Sequence, residues 1–224
     1  MTGAPPFVQL RELVRKDLRL EARTGEALLV TLPFAAVALM LMPLAVGAEL
    51  PLLEQVGQGL YWLVVLLFGA LVTLRHSSVE GPAQRTLLTL CGIDPVVRVA
   101  ARTCANVVLL LAIEVLLAPI AIALYNPHLA GWPWLLGMLP LVATGLAALG
   151  ALADGLVDGL GERVTLGPLL VVPLSLPLLL GATQVSQAAR YGRSPWPWLL
   201  LAVTVDLVLV MAAAGTAGAL EEAS

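Results

Sequence analysis

The sequence is short of charge. Only 12% of its 224 residues are Asp, Glu, Lys or Arg, while 59% are hydrophobic. Soluble domains average about 25% charged and about 45–50% apolar. Together with a mean hydropathy of +0.94, these departures make lipid the solvent. Cysteine is scarce too: Cys91 and Cys104 stand alone, with no CxxC spacing and no metal-ligand pattern with His76 or His128. That excludes a disulfide framework and a zinc site, and leaves two free thiols. No GxxxxGK[ST] phosphate loop occurs, so the chain has no recognisable nucleotide site. No nucleophile has a paired base, so no catalytic residue is assigned. Asp154, Asp158 and Glu162 lack the order of a calcium loop and read as a solvated turn. The N-terminus lacks a short basic region, apolar core and small-residue cleavage site, so no cleavable signal peptide is expected. The net charge of -3 says little, because placement matters more than sum. No nucleic-acid partner is expected.

What is present is a series of long apolar runs. A helix needs about 20 apolar residues to cross about 30 Å of hydrocarbon. Runs of suitable composition cover 27–47, 59–74, 99–125, 132–153, 164–183 and 196–218. Residues 48–58 read as a loop bearing Glu49 and Glu54, with Tyr61 and Trp62 as interfacial anchors beyond it. The fifth run is broken by Pro168, Pro173 and Pro177, and 184–195 reads as a polar connection. Ahead of the first run, 7–23 forms an amphipathic interfacial helix. Phe7, Leu10, Val14 and Leu18 make its apolar stripe, and Arg11, Arg15, Lys16, Arg19 and Arg23 cover the other side. The fold class expected is an all-α integral membrane protein: one polytopic domain of six transmembrane helices behind an interfacial helix. No stretch remains for a separate ATPase domain.

Orientation follows from the Lys and Arg bias. With the N-terminus inside, Arg11, Arg15, Lys16, Arg19, Arg23, Arg75, Arg85, Arg98, Arg102 and Arg163 are cytoplasmic, which is 10 of the 12 Lys+Arg. Arg190 and Arg193 are outside. Both termini are then cytoplasmic.

Two acids interrupt the apolar runs, Glu114 in the third and Asp206 in the sixth. An ionised carboxylate at the bilayer centre costs about 2.5–3.5 kcal/mol on insertion scales. Each must therefore face the bundle interior or a wet cavity, or carry a proton. Asn106, Thr144, Thr204, carbonyls near Pro119 and water are the expected partners. Trp132, Trp134, Trp196 and Trp198 fall at outer span ends as an aromatic belt. Gly145, Gly150 and Gly155 are spaced for close helix packing, within the bundle or between two copies. His128, in the turn at 126–131, is chemically able to ligate haem iron, though a solvated loop histidine is the ordinary reading.

The longest polar interruption, 75–98, is ordered as Glu80-Gly81, then Leu87-Leu88, then Asp94-Pro95, then a basic residue opening a span. That order resembles the loop after the second span in ABC-2-type exporter permeases. There the loop forms a coupling helix docked on an ATPase. The layout agrees, and the chain most resembles the B-subunit family of the cytochrome c maturation haem exporters. The basic LRELVRKDLRLEART segment runs into a first span like those of that family. In the family's loop motif, F-x-x-D-x-x-D-G-S-L, this chain has Leu74, Ser77, Glu80, Gly81, Pro82 and Ala83. Only the acid-glycine step is kept.

The resemblance implies a coupling segment built from Glu80, Gly81, Gln84, Arg85, Leu87, Leu88 and Asp94. It implies an ABC ATPase partner that uses ATP, haem as cargo, and a homodimer alongside other cytochrome c maturation membrane proteins. It also implies a bacterial inner-membrane location. The rival expectations are an ABC-2 permease for a lipid, glycan or peptide, an ion-coupled carrier using Glu114 and Asp206, and a membrane scaffold.

Overall fold

The computed structural model describes residues 5–47, 49–77, 92–126, 132–160 and 166–222. These form seven helices: α1 (Pro6–Thr24), α2 (Glu26–Val46), α3 (Leu50–Ser77), α4 (Pro95–Tyr125), α5 (Trp132–Leu160), α6 (Leu166–Arg190) and α7 (Trp196–Glu222). No strand occurs among the described residues. In hydrocarbon a backbone must satisfy its own polar groups, and a helix does so within one segment. Six of the helices are long and apolar enough to cross a membrane, α2 to α7.

The amphipathic N-terminal helix forms as its stripe predicts. Pro6 opens it, and Gly25 closes it in the left-handed region at φ 60, with its N–H bonded to Glu21 O. Gly25 is then the hinge into α2. The five cations are exposed, and α1 packs on α4 with Leu13 and Glu21 buried.

α5 is the hub and packs on α3, α4, α6 and α7. Its sequence explains why. Lipid tails are as apolar as leucine, so membrane helices associate through close van der Waals fit and small residues. α5 carries GLAALGALADG, and Ala143, Ala147, Ala148, Ala151 and Ala153 are buried. A methyl group at Gly150 would sit 2.6 Å from Thr73 Cβ on α3, and one at Gly155 would sit 2.7 Å from Thr216 Oγ1 on α7. Gly145 faces Leu178 of α6 and Asp206 of α7. The glycine series therefore packs this chain against itself.

Several boundaries differ from the sequence expectation. Residues 50–58 are helical, not loop. Glu49 O accepts from Leu52 N and Leu53 N at 3.1 and 3.0 Å to start α3, and the polar side chains that suggested a loop meet other helix ends. Glu54 Oε1 accepts from Asn126 Nδ2 at 3.1 Å, and Glu54 O from Arg190 Nη1 at 3.2 Å. Tyr61 and Trp62 therefore lie well inside α3, at 8% and 2% exposure, and are core residues, not interfacial anchors.

α6 runs unbroken through Pro173 and Pro177 to Arg190. Each proline removes one ladder donor, but neighbouring helices hold the segment straight enough to continue, here α3, α5 and α7. The expected connection at 184–195 shrinks to a turn with Gly192 at φ 65. α5 likewise passes through Asp154, so that residue is not in a solvated turn. Asp154 Oδ2 meets Arg102 Nη1 of α4 at 3.6 Å, and both side chains are largely buried.

Candidate functional site: polar groups in the helical core

Asp206 on α7 points between α5 and α6. At 6% exposure, neither of its carboxylate oxygens has a hydrogen-bond partner. The side chain fits there because position 145 is glycine: a Cβ at Gly145 would lie 2.5 Å from Asp206 Oδ1. One residue type on α5 thus makes the space that a carboxyl on α7 occupies.

Glu114 on α4 is fully buried, and both its carboxylate oxygens are unpartnered. Its main chain is engaged: Tyr61 Oη donates to Glu114 O at 2.8 Å. Pro119, five residues on, supplies no N–H to the carbonyl of Val115, which removes one ladder bond beside Glu114 in α4. Asn106 Oδ1, two turns nearer the α1 end of α4, is also buried and unpartnered. The expected threonine partners do not serve. Thr144 Oγ1 donates to Pro140 O at 2.6 Å and Thr204 Oγ1 to Leu200 O at 2.7 Å, each within its own helix. A buried carboxylate in this state can accept from water, a proton donor or a cationic group. Native interiors leave few such groups unpaired, so these two ask for an explanation.

Both ends of the bundle are tied. At the tryptophan end, Tyr125 Oη donates to Leu39 O at 2.8 Å, and Trp134 meets Trp196 edge-on at 5.3 Å. At the α1 end, Asp94 caps α4, with Oδ1 accepting from Val96 N at 2.7 Å and Pro95 following. Cys104 is a free, exposed thiol. No group of three metal-ligating side chains occurs among the described residues.

Comparison with known proteins assigns this architecture. The family model described as "CcmB protein" matches residues 8–223. The chain belongs to the CcmB protein family. Among its relatives, the protein named Heme exporter protein B of Haemophilus influenzae is 31% identical over 183 residues, covering 80% of this chain and 81% of that one. The Bradyrhizobium diazoefficiens protein of the same name is 31% identical over 198 residues, covering 82% and 83%. That of Paracoccus denitrificans is 28% identical over 211 residues, covering 94% and 97%.

In this CcmB-family chain Glu114 and Asp206 are both buried within the helical bundle. Of the residues expected to couple to an ATPase, Asp94 is described, and its Oδ1 accepts from Val96 N at the α4 cap. Glu80, Gly81, Gln84, Arg85, Leu87 and Leu88, and with them His128 and Cys91, lie outside the described residues. The tie from Tyr61 to Glu114 and the Arg102–Asp154 pair were missed from sequence. A depth count from the helix ends finds the second: Arg102 lies seven residues after Pro95 and Asp154 six before Leu160, both about two turns inside the α1 end. The first needs α3 to begin at Leu50, which its polar N-terminal turn concealed.

Proposed function

We propose that this chain is the membrane permease subunit of an ABC exporter serving cytochrome c maturation, moving haem or supporting a haem-linked step. The match to the CcmB family over nearly the whole chain carries this reading, and six span-length helices behind an amphipathic one support it. Relatives from several bacteria named Heme exporter protein B support haem as the cargo. The chain is a transport component, and ATP is hydrolysed by a separate ATPase subunit.

The ATPase docks on the segment from Glu80 to Asp94. Asp94 then marks where the docking loop hands force to α4, because its cap fixes the helix start. α4 carries Glu114 and packs on the hub, so motion at its capped end reaches the polar core. The protein sits in the bacterial inner membrane with both termini cytoplasmic, which puts ten of twelve Lys and Arg inside. Two copies form the pathway.

Co-expressed with its ATPase subunit, the chain copurifies with it and alone hydrolyses no ATP. Charge reversal at both Glu80 and Arg85 weakens the copurification and leaves membrane insertion intact. A double variant that retains its ATPase at the wild-type level removes this segment from the docking site.

A further inference from the structure

At the tryptophan end, α3 and α6 flank a cavity of about 460 Å³. Glu54, Gln55 and Gln58 line it from α3, and Gln187, Arg190 and Tyr191 from the end of α6 and the turn after it. Gln55, Gln187, Arg190 and Tyr191 are exposed, so this rim is open. Deeper in, the lining turns apolar, with Leu60, Leu63 and Leu179. From Gln55 to Leu63 the cavity follows α3 for about 12 Å, and from Arg190 to Leu179 it follows α6 for about 16 Å, at 1.5 Å per residue. That is about one leaflet of a hydrocarbon core about 30 Å thick. Leu67 and Leu176, 58% and 56% exposed, follow at helical spacing, so the apolar groove continues toward the membrane centre and is open to lipid. The order from polar end to apolar depth is that of a lipid in the same leaflet.

The polar lining says what kind of head group fits. Thr183 and Ser186 also line the cavity, but their hydroxyls donate to their own helix, to Leu179 O at 2.9 Å and Ala182 O at 3.1 Å. The donors that remain are the three glutamine amides, the Tyr191 hydroxyl and Arg190. A guanidinium has five N–H donors. One of them, on Arg190 Nη1, donates to Glu54 O at 3.2 Å and holds the group beside α3. Glu54 supplies the opposite charge. Its Oε1 accepts from Asn126 Nδ2 at 3.1 Å, and a carboxylate has about four acceptor sites. The lining therefore carries one cation and one anion, with no net charge. Such a pair suits the phosphate and the ammonium of a zwitterionic head group. Free phosphate or a dicarboxylate would meet Glu54 as a like charge.

We propose that this cavity seats a zwitterionic glycerophospholipid. Its phosphate accepts from Arg190 and the glutamine amides, its ammonium faces Glu54, and one acyl chain lies on Leu60, Leu63 and Leu179. This assignment does not depend on the transported cargo. Gly59 lies between the polar and apolar halves of the lining. A Cβ there would meet Thr183 Cγ2 at 3.9 Å, an ordinary contact, so a longer side chain at 59 would enter the cavity.

The test uses the full chain in phosphatidylglycerol nanodiscs doped with a phosphatidylethanolamine that carries a photoactivatable group at the top of one acyl chain. After irradiation, labelled peptides are mapped by mass spectrometry. Label concentrates on 55–63 and 179–191, and excess unlabelled phosphatidylethanolamine removes it. Inorganic phosphate, soluble glycerophosphoethanolamine and haemin do not. Arg190→Gln lowers the labelling about tenfold, and Glu54→Gln lowers it about threefold. Gly59→Leu fills the cavity and abolishes it. Arg193→Gln, three residues from Arg190 and outside this lining, leaves it unchanged. Monodispersity and helical circular dichroism are checked for each variant, and Arg190→Gln decides if Gly59→Leu does not fold. Label spread evenly over the exposed apolar surface overturns the proposal. So does labelling that either charge variant leaves unchanged, or displacement by phosphate, the soluble head group or haemin. An equal loss in Arg193→Gln marks a diffuse basic surface and overturns it too.

Discussion

Glu114 and Asp206 are carboxylates surrounded by side chains that do not answer them. The space around each is specified by a neighbour: Gly145 admits Asp206, and Tyr61 fixes the main chain at Glu114. The cost of an ionised acid at this depth, about 2.5–3.5 kcal/mol on insertion scales, is not offset by any Lys or Arg near it in sequence depth. Amide replacement keeps the shape and removes that cost. Glu114→Gln and Asp206→Asn are therefore expected at wild-type membrane levels, with thermal unfolding midpoints in detergent equal to or above wild type. Transport activity is expected to be unchanged. A variant present at normal levels but inactive would assign its carboxylate charge to the transport route.

At the scale of elements, the glycines of α5 separate packing from propensity. Gly150 and Gly137 sit in the same helix. A Cβ at Gly150 would press on Thr73, whereas one at Gly137 meets nothing within 4 Å. Gly150→Ala overpacks the α3–α5 seam and should cost about 1–3 kcal/mol. Gly137→Ala should be neutral or gain up to about 1 kcal/mol of helix propensity. Chemical unfolding of the two variants in the same detergent checks this, and equal effects would remove the seam from the explanation.

The same elements show what the sequence makes legible. Apolar length sets the existence of all six spans, and small residues at 145, 150 and 155 announce a packed helix. Helix ends are harder. Glu54, Gln55 and Gln58 look like a loop because polarity marks water in a sequence, yet these residues lie in the first turns of a helix whose end is tied to Asn126 and Arg190. Prolines at 173 and 177 look like breaks because their local cost is visible, while the packing that outweighs it is not. The threonines expected to partner Glu114 and Asp206 fail to do so for a third reason. Thr144 and Thr204 bond their own helices, a choice that depends on rotamer and not on residue type.

At the scale of the whole molecule, alternation of helix ends places Asn126, Arg190 and the tryptophans at one end and Asp94, Arg102 and Asp154 at the other. Given the cation bias, reporter fusions after Glu54, His128 and Arg190 should read as outside, and fusions after Arg85, Asp158 and Glu222 as inside. An inside reading at His128 would contradict the six-span path.

On the proposed function, this chain serves haem handling in cytochrome c maturation. Its direct test is covalent haem on c-type cytochromes, measured by haem staining of membrane and periplasmic fractions from cells lacking the chain. Deletion should abolish the stained cytochromes while leaving their apoproteins made and exported, and the wild-type chain together with its ATPase should restore them. Normal haem attachment in the deletion strain would contradict the account.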